Sequence, residues 1–168
     1  MLQGGFGQMH TPVMLQEAVD FLVTNSTGKY VDATFGRGGH TGAILERLAA
    51  QGRLLAIDRD PQAIAWGSSR FAHEPRLSLE QASFADLGML LERHGLAEGV
   101  DGVLLDLGVS SPQLDDAGRG FSFMQDGPLD MRMDPGHGFS AAQWLARARA
   151  EEIEKVLREY GEERFARR

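Results

Sequence analysis

Four short apolar runs, Tyr30–Ala33, Arg53–Ile57, Leu77–Gln81 and Gly102–Leu107, alternate with stretches whose apolar residues follow helical spacing. Those stretches are Thr41–Ala50, with Ile44, Leu45 and Leu48 on one face, a helix opening at Pro61, and Phe84–His94. Strands that alternate with helices over such short intervals must run parallel, and a parallel sheet needs helices on both faces to cover it. The pattern therefore predicts a doubly covered α/β sheet of strand order 3-2-1-4 over residues 1–111, entered through a helix at Val13–Leu22 after a loose start at Met1–Gln8. From residue 112 the alternation stops. Residues up to Phe139 carry Gly, Pro and Asp throughout and read as a long ordered loop, a kind of segment that is usually functional. Helices follow at Ala141–Arg149 and Ala150–Tyr160, the second with Ile153, Val156, Leu157 and Tyr160 on one face. Residues 112–168 are thus expected to form the beginning of a second, helical domain.

Composition narrows the chemistry by exclusion. The chain has no cysteine, which removes disulfides, thiolate metal sites and cysteine nucleophiles. A net charge of −7 argues against a broad basic nucleic-acid footprint. Nothing resembles a membrane-spanning run or a signal peptide, so a cytoplasmic protein without membrane contact is expected. His10, His73, His94 and His137 share no metal-ligand spacing, and Asp130 and Asp134 read as a solvated pair. No metal site is expected.

The densest signal lies where strand one turns into the next helix. "YVDATFGRGGHTGAIL" places Gly36, Gly38, Gly39 and Gly42 there, a costly choice unless the backbone must turn tightly or meet a ligand closely. The dinucleotide fingerprint would require glycine at 41, where Thr41 stands. Asp32, Thr34, Gly36, Gly38 and Gly39 instead resemble the first motif of methyltransferases that use S-adenosylmethionine. A tight turn without a ligand is the bland alternative. Asp58, ending strand two, is placed to accept hydrogen bonds from two ribose hydroxyls, which suits a nucleoside without choosing among nucleoside cofactors. Asp60 is the better N-cap for the helix at Pro61. Phe84 could lie against an adenine ring or simply fill core. Asp106, at the end of an apolar strand where burial would be costly without a partner, faces the glycine turn in a 3-2-1-4 sheet.

Four longer motifs, "FGRGGHT", "AIDRDPQAIA", "LLDLGVSSPQLD" and "RGFSFMQDGPLDMRMDP", occur in that order. Together they resemble the bacterial ribosomal small subunit methyltransferase H family, which methylates the exocyclic N4 of a cytidine in 16S ribosomal RNA. The resemblance runs from His10 to the last residue. It implies a Rossmann-like class I methyltransferase sheet and S-adenosyl-L-methionine as cofactor, contacted by Gly38, Gly39, His40, Asp58, Phe84, Asp106 and Gln113. Asp106 or the adjacent backbone carbonyls are the candidate catalytic acceptor, with a cofactor role alone as the alternative for Asp106. Phe121, Phe123, Met124 and Met131 are expected to wall the target base. The partner implied is 16S ribosomal RNA in the small subunit, with a homo-oligomer left open. Family members are longer, so the chain is expected to stop inside the helical insertion and to lack methylating activity alone, with strand four left as an apolar edge. A nicotinamide-dependent oxidoreductase, opposed by Thr41, and a non-catalytic nucleoside-binding fragment are the competing functions.

Overall fold

The structure is a computed structural model that describes residues 12–167; the loose start and His10 lie outside them. The chain divides into two compact units, Met1–Ser110 and Ser111–Arg168.

The first unit is built on four parallel strands, β1 (Lys29–Asp32), β2 (Arg53–Asp58), β3 (Leu77–Gln81) and β4 (Gly102–Leu104), in the order β3-β2-β1-β4. Side chains alternate between the two faces of a strand, and the core divides accordingly. Tyr30 and Leu54 pack with Ala43, Ile44, Leu45 and Leu48, from the helix after β1, on one face, joined by Val19 from the helix before it. Val31, Leu55 and Ile57 meet Leu90 and Leu96 on the other. Both faces are therefore covered, as the alternation of elements requires.

Several boundaries differ from the sequence-based expectation. Helix α1 spans Leu15–Leu22, because Met14 adopts a left-handed φ of 52° and Val13 precedes the helix. Helix α2 spans Gly39–Arg47 rather than Thr41–Ala50. Its first turn is closed by the Gly42 amide donating to the Gly38 carbonyl at 2.9 Å, so the glycine stretch is partly helix. Its end is capped by Arg76, whose guanidinium donates to the carbonyls of Leu45 and Leu48. Helix α3 runs Pro61–Arg70, and Asp60 accepts from the Gln62 amide as the expected N-cap. The Phe84–His94 stretch opens as a 3-10 turn at Phe84–Asp86 and continues as α4 (Leu87–Arg93).

Strand β4 is the largest departure. It stops at Leu104, three residues before the expected end at Leu107. Strand β1 ends at Asp32, and after the Ala33 amide donates to the Leu104 carbonyl at 2.9 Å no ladder remains to extend. Leu105, Leu107 and Val109 are exposed, and β4 forms one edge of the sheet.

In the second unit, part of the expected loop is ordered as α5 (Ser111–Asp115) and a 3-10 turn at Ala117–Arg119. Helix α6 covers Ala141–Leu145, shorter than expected, and α7 covers Ala150–Glu159. The division falls where Arg149 turns extended and its amide donates to the Glu152 carboxylate at 2.9 Å, capping α7 instead of prolonging α6. No residue of α7 is buried; Leu157 and Tyr160 are both exposed.

Candidate active site

All four strands run parallel, so their carboxyl ends gather at one end of the sheet, the general location of ligand crevices in such folds. Gly36 and Gly38 turn the chain there with φ of 54° and 69°, values that residues with a Cβ rarely adopt. A Cβ on Gly38 would also fall 2.8 Å from the Phe35 ring and 2.9 Å from that of Phe71. Around Gly36 the space is open, the nearest neighbour of such a Cβ being the Thr34 carbonyl at 3.9 Å. The turn thus presents bare backbone where it is least crowded.

Two carboxylates organise this turn. Asp58, at the end of β2, accepts the Gly36 amide on Oδ2 at 2.7 Å and the Asp60 amide on Oδ1 at 2.8 Å. Burial raises its pKa above the ordinary carboxylate value, and these backbone bonds oppose that rise. An ionised carboxylate offers about four lone-pair sites, so Asp58 still has acceptor capacity beyond its backbone bonds. Asp32, at the end of β1, is fully buried; Oδ2 accepts from the Thr41 hydroxyl at 2.7 Å and Oδ1 from the Thr34 amide at 3.2 Å. Desolvation raises its pKa, and the Thr41 bond is the largest influence pulling it back. With no exposed surface, Asp32 acts within the protein, on the Thr41 side chain and the Thr34 backbone.

Asp106 sits two residues beyond β4, not within it, and its side chain is 49% exposed. The expected burial penalty does not arise, because the strand ends first. Its amide donates to the Thr34 hydroxyl at 2.7 Å, and its Oδ2 lies 3.9 Å from Nδ1 of the buried His40. Gly38 caps α2, while Gly39 and His40 occupy its first positions. Phe84 follows β3 closely, at the sheet end where Asp58 stands opposite Gln81, and is half exposed. The sequence-predicted residues of this unit are thus linked through Asp58–Gly36 and His40–Asp106. Thr34 was legible only as a motif position and Thr41 only as a missing glycine; residue-by-residue reading gave neither a bonding role. Their signal was the spacing from Asp32, which lets one carboxylate hold both the turn and the helix that follows.

Gln113 belongs to the second unit, where it is buried in α5 and its side-chain amide donates to the Met133 sulfur at 3.4 Å. Of the expected base wall, Phe123 and Met124 are strongly exposed and Met131 half exposed. A cleft of about 210 Å³ bordered by Ser122, Phe123 and Gln125 falls below the ~300–1,000 Å³ of ordinary small-molecule pockets. Asp130 and Asp134 are not a solvated pair. Asp130 binds Arg132 at 2.6 Å, which holds its pKa down to about 2, and Asp134 binds His137 at 2.7 Å. Among the described residues, no group of three or more His, Asp or Glu is arranged to hold a metal.

The sequence pattern of the MraW methylase family matches residues 7–168. The chain belongs to that family. Among curated relatives, the ribosomal RNA small subunit methyltransferase H of Thiobacillus denitrificans is 62% identical over 157 residues, covering 94% of this chain and 50% of that protein. The protein of the same name from Thioalkalivibrio sulfidiphilus is 60% identical over 159 residues, covering 95% and 51%. The chain spans about half the length of these relatives. Among solved structures, a SAM dependent methyltransferase from Aquifex aeolicus matches at 10% identity with a TM-score of 0.37, over 41% of this chain and 38% of that one. Family membership rests on the sequence match, and the order β3-β2-β1-β4 on the strands themselves. No helix among the described residues is long and apolar enough to cross a membrane.

Proposed function

We propose that this chain carries the cofactor-binding part of a methyltransferase that uses S-adenosyl-L-methionine to methylate the exocyclic N4 of a cytidine in 16S ribosomal RNA, in the small subunit and in the cytoplasm. The observation that carries this reading is the joining of two carboxylates to one glycine turn. Asp58 is tied to it through the Gly36 amide, while Asp106 meets its neighbours Thr34 and His40. The relatives named for ribosomal RNA support the substrate class.

The residues present fit the cofactor. Open backbone at Gly36, a carboxylate that accepts hydrogen bonds at Asp58 and a half-exposed aromatic at Phe84 suit a phosphate-free nucleoside with a free diol. When bound, the cofactor supplies a methyl group activated by a sulfonium. Asp58 would accept from the ribose hydroxyls, Phe84 would offer its ring to the base, and Gly38, Gly39 and His40 would complete the contacts within this unit. Asp106, exposed enough to meet a substrate and fixed by Thr34, would accept an N–H of the target amine. That contact favours a tetrahedral nitrogen and takes up the proton released on methylation. Its position also suits a cofactor contact, so its two roles are separated by experiment below. A nicotinamide cofactor is disfavoured, since the third fingerprint position is filled by Thr41, whose hydroxyl is committed to Asp32.

Titration calorimetry with S-adenosylmethionine and NAD tests the cofactor; binding of NAD alone would overturn the reading. Transfer of labelled methyl to unmodified small subunits, mapped to a cytidine N4, tests the substrate. Label on protein or on another base would contradict it.

A further inference from the structure

Trp66, on α3, is the centre of a small basic cluster at the glycine turn. The Phe35 ring, just before the turn, packs against it with centroids 6.2 Å apart. Arg37, between Gly36 and Gly38, holds its guanidinium carbon 5.5 Å from the indole centroid, and Arg70, one helical turn beyond Trp66, holds its own at 5.6 Å. Both arginines are exposed, while Trp66 is half-buried. Among the other exposed arginines of this unit, Arg47 pairs with Asp20, Arg93 with Glu80, and Arg53 donates to the backbone carbonyls of Ala50, Gln51 and Gly52. Neither Arg37 nor Arg70 has a carboxylate partner among the described residues. Two cations gathered on one ring repel each other unless an anion lies against them. A guanidinium resting on an indole also keeps its N–H edge free for an oxyanion. On a chain of net charge −7 this is a local island of positive charge.

We propose that Arg37, Trp66 and Arg70 form a contact for the phosphate backbone of RNA beside the candidate site. The proposal rests on the reading that the substrate is RNA. Phosphates running past the turn neutralise both guanidiniums, and the partly exposed indole offers a stacking surface that tolerates any base. The cluster thereby adds affinity without sequence preference, the role of backbone contacts in general.

The test uses the 168-residue chain in a Trp144→Phe background, which leaves Trp66 as the only tryptophan. The probe is a labelled single-stranded RNA oligonucleotide, titrated at several salt concentrations. RNA should change Trp66 emission. Arg37→Gln and Arg70→Gln should each weaken binding several-fold on every sequence tried, and each should reduce the salt slope by about 0.7. Arg37→Lys should recover part of the loss. Because both side chains are exposed, the thermal midpoint should stay at the wild-type value. Wild-type affinity and slope in the double variant would overturn the proposal. So would a loss confined to S-adenosylmethionine, which would assign the cluster to the cofactor's carboxylate. S-adenosylmethionine binding by wild type, with unchanged RNA binding in the double variant, removes the cluster alone. Absence of S-adenosylmethionine binding with the variant losses intact removes the functional reading alone.

Discussion

Replacing Thr41 by valine should destabilise the chain by an amount that depends on pH. Thr41 donates its hydroxyl to Asp32 at 2.7 Å, and both residues are completely buried. Losing a hydrogen bond to a charged group costs roughly 1.5–3 kcal/mol. At about 2–4 °C per kcal/mol, the midpoint should fall by roughly 3–12 °C. The pH dependence follows from Asp32. Burial raises its pKa above the ordinary 3.8, so the native state holds this proton more tightly than the unfolded chain does. Stability from this group is therefore greatest at low pH and declines as pH rises through the native value. The Thr41 bond lowers that value; removing the bond raises it further and widens the window of decline. The deficit of Thr41→Val should accordingly open as pH passes the wild-type value and level off above the variant's. Urea unfolding between about pH 4.5 and 8 reads it, with Thr41→Ser as the control that keeps the hydroxyl. A deficit below ~0.5 kcal/mol, or one equal at every pH, would refute the role given to Asp32.

Asp58→Ala should weaken S-adenosylmethionine binding by roughly 1.5–3 kcal/mol, read by calorimetry; unchanged affinity would remove Asp58 from the ribose. Because burial holds the Asp58 pKa above 3.8, affinity in the wild type should fall as pH drops through that raised value, and a flat profile would contradict the assignment. In a version extended to the length of its relatives, Asp106→Ala should lower methyl transfer far more than cofactor affinity; equal losses would make Asp106 a cofactor ligand alone. Val103, Leu105, Leu107 and Val109 are exposed at and beyond the β4 edge, so the isolated chain should self-associate. Leu105→Lys with Leu107→Lys should shift sedimentation toward monomer, and a wild-type monomer at high concentration would refute this.

Much of the first unit was legible in sequence because parallel strands buried on both faces read as near-continuous apolar runs. The run Arg53–Ile57 became β2 within one residue, and Leu77–Gln81 became β3 unchanged. The glycine turn was equally legible, since positive φ at Gly36 and Gly38 leaves few alternatives to glycine. Partnership was not legible. "GVLLDL" has the hydropathy of a buried strand, yet it pairs only through Leu104, because strand length depends on how far its neighbour runs. That same ending turned Asp106 from an expected buried carboxylate into a half-exposed one. Thr41 shows the division best. In sequence it could be read only as an absent glycine, whereas the fold brings its hydroxyl onto Asp32, nine residues earlier. Local spacing determines which backbone shapes are affordable, and only the packed sheet decides which polar atoms lose water and must find one another.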